Sequence, residues 1–244
     1  MPDRAAIVTG ASSGIGFAIA DVLGAEGYAL TVAARRAEKL EGAAEQLRQK
    51  GYELRHVAAD LGAEEDVKRV VDTHRDAYGR CDVLVNNAGV GIGEPVAELT
   101  TKKVDIQINT NLRSIPLFYR EALDMLKAAG EEHRNALVIN TSSMAGKRGE
   151  AWLSVYSATK HGVIGFTQAM NKELNAQGIK STALAPAFVD TPMTDFVKGQ
   201  LPPESMITTD DIAESVRFLL KLSPGCLVPE IMFELIGGDG LPSA

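Results

Sequence analysis

Short runs rich in valine, isoleucine and leucine recur along this chain at residues 5–9, 29–33, 53–58, 82–86, 136–141, 180–185 and 230–236. Several carry no polar alternation, the pattern of strands buried on both faces. Amphipathic helical patterns lie between them, as at 14–26, 38–50 and 64–78. Repeated strand–helix–strand units close into a parallel sheet with helices on both sides. The expected fold is α/β: a doubly wound parallel sheet of about seven strands.

A length of 244 residues suits one such domain, here 1–244, and composition is ordinary, with 45% hydrophobic and 23% charged residues. A net charge of −7 argues against nucleic acid as a partner, which calls for a basic footprint. No apolar run approaches the ~20 residues that span a bilayer, so no membrane partner is expected. Cys81 and Cys226 form no disulfide framework, and the first residues are too short an apolar run for a signal peptide, so cytoplasmic localisation is the expectation. His56, His74, His133 and His161 are scattered without zinc spacing, so no metal is expected. One stretch breaks the rhythm. Residues 186–208 hold prolines 186, 192, 202 and 203 and connect a strand to a helix over an unusual length. A long loop inside a compact domain is usually functional, and this one is expected to be a substrate lid.

The first strand runs straight into Thr9-Gly10-Ala11-Ser12-Ser13-Gly14-Ile15-Gly16 and then a helix. Glycines there permit a tight turn and a close approach to a pyrophosphate, and the helix N-terminus offers free N–H groups to its charge. The spacing Gly-x-x-x-Gly-x-Gly differs from the general Gly-x-Gly-x-x-Gly. At the end of the second strand, where a carboxylate would bind a ribose 2′-hydroxyl, stand Ala34, Arg35 and Arg36. Guanidinium forks suit a 2′-phosphate instead, so NADP(H) is the expected cofactor.

Tyr156 and Lys160 are four residues apart and share a helix face. A free phenol titrates near 10, too high for an efficient base at neutral pH. An ammonium ~4 Å away, at an effective dielectric of ~20, favours the phenolate by at most ~4 kcal/mol. The spacing therefore predicts a phenol tuned downward to exchange a proton with an alcohol or alkoxide.

Together these features resemble the short-chain dehydrogenase/reductase family, over essentially the whole chain from Thr9 to Gly238. The resemblance implies a Rossmann-type fold and a hydride exchanged between NADP(H) and a carbonyl or secondary alcohol. Thr9-Gly10 with Gly14-Ile15-Gly16, including Ser12 and Ser13, matches the cofactor turn; Asp60-Leu61 matches the adenine contact; Asn86-Asn87-Ala88-Gly89 matches the motif that supports the sheet and lines the cofactor. Asn111, Ser143, Tyr156 and Lys160 fall on the catalytic positions, Asn111 being implied to hold a water linking Lys160 to solvent and Ser143 to bind the substrate oxygen. Pro186, Val189 and Thr191 are the implied cofactor contacts of the late loop, Thr191 at the nicotinamide amide. One departure stands out: Ala187 occupies the place of the usual glycine, and alanine is costlier than glycine at positive φ.

The substrate pocket is expected to be apolar, with Trp152 and Phe188 as substrate contacts and Met193, Phe196 and Leu201 nearby. That favours an apolar ketone or alcohol. A 3-oxoacyl-[acyl-carrier-protein] reductase is the alternative, disfavoured by the acidic chain and the neutral Asn175-Ala176-Gln177. A non-catalytic NADP(H)-sensing protein would be expected to have lost Tyr156 or Lys160, and an extended-branch epimerase would show other glycine spacing and a longer C-terminal region. Apolar residues on more than one face of 111–126 and 155–174, including Leu117, Leu123, Val163, Phe166 and Met170, predict a homo-oligomer, and the resemblance implies a tetramer.

Overall fold

The computed structural model describes residues 2–237; Met1 and residues 238–244, the ends of the expected domain and of the family resemblance, lie outside the described residues. The chain alternates β1 (Ala5–Thr9), α1 (Gly14–Ala25), β2 (Ala29–Ala34), α2 (Ala37–Gln49), β3 (Leu54–Ala58), α3 (Glu64–Tyr78) and β4 (Val83–Asn86). It continues through α4 (Thr101–Ile108), α5 (Ser114–His133), β5 (Ala136–Thr141), α6 (Ser154–Leu174), β6 (Ile179–Pro186), α7 (Thr209–Leu220) and β7 (Glu230–Phe233). All seven strands are parallel, in the order β3-β2-β1-β4-β5-β6-β7. The order reverses between β1 and β4, the switch point at whose carboxyl side such sheets bind ligands.

Both faces of the sheet are covered, which is why the strand runs lack alternation. Ala6, Val8, Val83, Val85, Leu137 and Ile139 pack with Ile19 and Leu23 of α1, Leu40 and Leu47 of α2, and Ile212 and Val216 of α7. Ile7, Leu84 and Val138 point the other way, onto Val67 and Val71 of α3, Phe118 and Leu126 of α5, and Val163 of α6. Of the apolar residues expected on more than one face of these helices, Val163 is fully buried in the core, while Leu117, Leu123, Phe166 and Met170 pack against that cluster half-buried. No described helix is long and apolar enough to cross a membrane.

The long loop forms a small apolar cluster with the segment after β7. Val197, Leu201, Met206 and Leu235 are buried together, with Ala187, Phe188 and Ile207 against them. Lys198 pairs with both Asp190 and Asp195 at 2.8 Å. Ala187 escapes the expected strain: Arg134 and Trp152 are the described non-glycine residues at positive φ, and the Ala187 N–H simply extends the sheet by donating to the Phe233 carbonyl at 2.9 Å.

One buried group opposes this packing at low pH. The His74 ring of α3 is fully buried against β2; its Nδ1 bonds with the Thr31 hydroxyl at 2.8 Å, and the Arg80 backbone gives it only weak further support. Burial pushes its pKa down to about 4. Because the folded value lies below the unfolded one of ~6.5, the unfolded chain takes up the proton first as pH falls. Folding stability should therefore drop by up to about 3 kcal/mol between pH 6.5 and 4 from this residue alone. In urea denaturation, His74→Gln should show a shallower loss of stability over pH 6.5–5 than wild type; parallel curves would contradict it.

Candidate active site

The carboxyl ends of β1, β4, β5 and β6 converge at the switch point, and the sequence-predicted residues follow from what each strand end does. Thr9 closes β1. Its hydroxyl donates to the Val85 carbonyl at 3.1 Å and accepts from the N–H groups of Asn87 and Ala88 at 2.9 and 3.0 Å. The Asn87 amide donates in turn to the Thr9 carbonyl at 3.1 Å. One threonine thus fastens the start of the loop after β4 onto the start of the glycine turn.

The turn leaves no room for side chains. A Cβ on Gly16 would lie 2.4 Å from the Gly10 carbonyl oxygen, and one on Gly10 would lie 2.9 Å from Ala88 Cα; Gly10 also adopts φ +68°. Ser13 precedes α1 without capping it by its side chain. The first turn of α1 therefore presents uncapped N–H groups beside a flat backbone shelf, the donor set a pyrophosphate requires. Thr191 lies over the same turn, with its Cγ2 3.0 Å from a Cβ placed on Gly14. Arg35 and Arg36 are exposed just past the end of β2. Asp60 is exposed and folded back on the Gly62 N–H at 3.1 Å; Leu61 and Val189 are buried. Gly89 lies beside both Asn111 Oδ1 and Lys160 Nζ.

α6 delivers Tyr156 and Lys160 together. Its inner face is tied to β5 by Asn140, which donates to Thr167 Oγ1 and to Tyr119 Oη of α5, each at 3.0 Å, and accepts from Asn86 at 2.9 Å. Ser142 Oγ donates to the Lys160 carbonyl at 2.9 Å. Lys160 itself is only 4% exposed, and its Nζ donates to the Thr141 carbonyl at 2.7 Å. Nζ stands 5.5 Å from the centre of the Tyr156 ring. Ser143, immediately past β5, sits with its hydroxyl 3.4 Å from the Pro186 carbonyl.

Asn111 lies in a five-residue π-helical stretch, Asn109–Arg113, between α4 and α5. Such bulges frequently mark functional sites. Its amide clamps the loop after β4, accepting from Val90 N–H at 2.7 Å and donating to the Val90 carbonyl at 2.8 Å. It also donates to Thr159 Oγ1 at 3.3 Å, and Thr159 donates to the Tyr156 carbonyl at 2.7 Å.

The electrostatics differ from the sequence expectation in one respect. Burial raises the Tyr156 phenol above its ordinary value, and hydrogen bonding with Ser143 only pulls part of the way back. Burial also lowers Lys160 to about 8. Spacing alone weighed the attraction of an ammonium and missed the loss of water by both groups, which is the larger effect. The phenol is therefore protonated at neutral pH, ready to donate.

Of the expected substrate contacts, Trp152 is exposed on the segment that enters α6, whereas Phe188 packs against the apolar cluster of the long loop, in which nearby Leu201 is buried. Sequence reasoning missed Thr141, Thr9 and Thr159 as supports, because the first acts through its carbonyl and the others through contacts distant in sequence.

Comparison with known proteins identifies the family. The profile of the family described as short chain dehydrogenase matches residues 4–201. A Streptomyces virginiae protein provisionally named a ketoacyl reductase of the monensin polyketide synthase is 40% identical over 236 residues, 96% of this chain and 88% of its own. A 3-oxoacyl-[acyl-carrier-protein] reductase of Staphylococcus aureus is 34% identical, covering 88% and 90%. The crystal structure of an alcohol dehydrogenase from Thermococcus sibiricus, complexed with 5-hydroxy-NADP, superposes with a TM-score of 0.85 at 32% identity, over 94% of this chain and 95% of that one.

Gly16→Ala puts a methyl group against backbone that cannot retreat. It should destabilise the fold by about 1–3 kcal/mol in urea denaturation and weaken dinucleotide binding in a fluorescence titration. Wild-type behaviour in both would show that the turn has slack.

Proposed function

This chain is a member of the short-chain dehydrogenase family, an oxidoreductase, and on that premise we propose that it reduces an apolar ketone to a secondary alcohol with NADPH, through Asn111, Ser143, Tyr156 and Lys160. The observation that carries the reading is the buried Lys160, held on the Thr141 carbonyl next to Tyr156 and Gly89.

Bound NADPH supplies the hydride. The turn from Gly10 to Gly16 and the α1 N-terminus would hold its pyrophosphate, with Asn87, Ala88 and Gly89 along one side and Pro186, Val189 and Thr191 along the other. Arg35 and Arg36 would meet the 2′-phosphate, and Asp60 and Leu61 would flank the adenine. Ser143 Oγ donates to the substrate oxygen and orients it. Tyr156, neutral at physiological pH, gives its proton to that oxygen as negative charge develops. Lys160 then stabilises the phenolate by its charge, and Asn111 keeps the loop after β4 against Thr159 and the start of α6. With Lys160 titrating at about 8, the ammonium is lost as pH rises through that value, so reduction should slow above it.

The segment from 187 to 206 is the lid, a role supported by the apolar cluster it forms with Ile207 and Leu235 and by the Lys198 ion pairs. A 3-oxoacyl thioester on an acyl carrier protein is the second reading of the substrate, favoured by the names of two relatives. Half-buried Leu117, Leu123, Phe166 and Met170, and exposed Phe218 and Met232, support a homo-oligomer, with a tetramer as the expected size.

The test is a panel of ketones and 3-oxoacyl thioesters with NADPH and NADH, followed at the cofactor's absorbance. Wild type should show the higher kcat/KM with NADPH, and Tyr156→Phe should lose at least ~10²-fold in turnover with cofactor affinity retained. Near-normal turnover by Tyr156→Phe would overturn the assignment of the proton donor.

A further inference from the structure

Trp152 is the only tryptophan of the chain, and it adopts φ +63°. A bulky residue in that region is strained and stays there only when its surroundings hold it. Here they do. The Trp152 carbonyl accepts from the Glu94 N–H at 2.7 Å, and the Glu94 carboxylate is paired with Lys103 of α4. On the other flank, the Leu153 N–H donates to the Glu150 carbonyl at 3.1 Å, and the Glu150 N–H donates to Ser157 Oγ at 3.2 Å. The loop after β4 and the segment before α6 are thus laced together around this residue.

The side chain so held is 61% exposed. A strained backbone and an open indole both disfavour the free protein, and a ligand that covers the indole offsets the second. The place is suited to one. Trp152 lies in the turn that leads into α6, four residues before Tyr156, and the same loop after β4 brings Gly91 to the Tyr156 ring, with 3.9 Å between that ring and a Cβ built on the glycine. The lid adds exposed Met193 and Phe196, at 49% and 75%.

We propose that Trp152 determines specificity in the ketone reduction proposed above, by stacking its indole on a ring of the substrate. The favoured substrate is then a ketone on or beside a planar or fused ring, in preference to an open-chain ketone of equal carbon number. A ring meets a fixed indole face without losing rotamer freedom, whereas an alkyl chain must be ordered to cover the same area.

The experiment compares 1-tetralone with 2-decanone, both ten-carbon ketones, using NADPH. Wild type should prefer the tetralone in kcat/KM, and W152A should lose about tenfold of that ratio, with W152F retaining part of it. An unchanged ratio in W152A overturns the specificity proposal and leaves the reductase reading intact. If wild type reduces neither ketone, the reductase reading fails for these substrates, and titration of the NADP+ complex with tetralin, the same bicycle without the carbonyl, still decides the stacking. A saturable change in Trp152 emission supports it, and a flat titration overturns it. The strain has its own readout. W152G should unfold at a higher temperature than W152A, the reverse of the usual order of these residues, and the usual order would remove the strain from the argument.

Discussion

A single hydrogen bond organises the catalytic end of this molecule: the one from Lys160 Nζ to the carbonyl of Thr141. An amine carried into a nearly dry core loses its hydration, and without a partner it would be among the costliest groups in the fold. The Thr141 carbonyl faces β4, as the Leu137 N–H does in donating to the Asp82 carbonyl, and it is free to accept because the ladder with β4 ends at Asn86 opposite Asn140. A strand that stops at the right residue thus creates the acceptor, and the acceptor fixes the position of the cation relative to Tyr156. Burial then keeps the phenol neutral and the amine close to its titration point.

Everything that sets the position of that bond is itself buried and polar. Asn140 reaches α5 and α6 at once, Thr9 joins β1 to the loop after β4, and Asn111 fastens the far part of that loop through Val90. Buried networks of this kind rigidify when satisfied and are costly when broken. They lie where the strand order reverses, so the sheet's topology and the polar network meet at the same place. The opposite result holds at His74, whose burial outweighs its hydrogen bonding and works against stability in acid.

The fold was legible in the sequence because strands covered on both faces must be apolar along their whole length, and β1 and β5 match their runs residue for residue. The last run reads as 230–236, but the ladder with β6 ends at Phe233 opposite Pro186, and an edge strand has no second neighbour to extend it. Tyr156 and Lys160 were legible from helical spacing, and the glycine turn from its position after β1. The rest depends on backbone groups and on contacts between distant segments, which residue identity does not encode. The Thr141 carbonyl, the π-helical stretch at Asn111 and the positive φ of Trp152 all belong to that class. The direction of the Tyr156 shift was misjudged for a related reason: spacing reports a neighbouring charge and says nothing about the water both groups give up.

The most direct test of this account is the titration of Lys160 itself. In protein carrying isotopically labelled lysine, its Cε resonance can be followed by NMR against pH and identified by its absence in Lys160→Met. The account predicts a midpoint near 8 in the free enzyme, well below the ~10.4 of a solvated lysine. A midpoint at or above that ordinary value would mean the amine is hydrated, and would contradict the buried, carbonyl-held cation on which the mechanism rests.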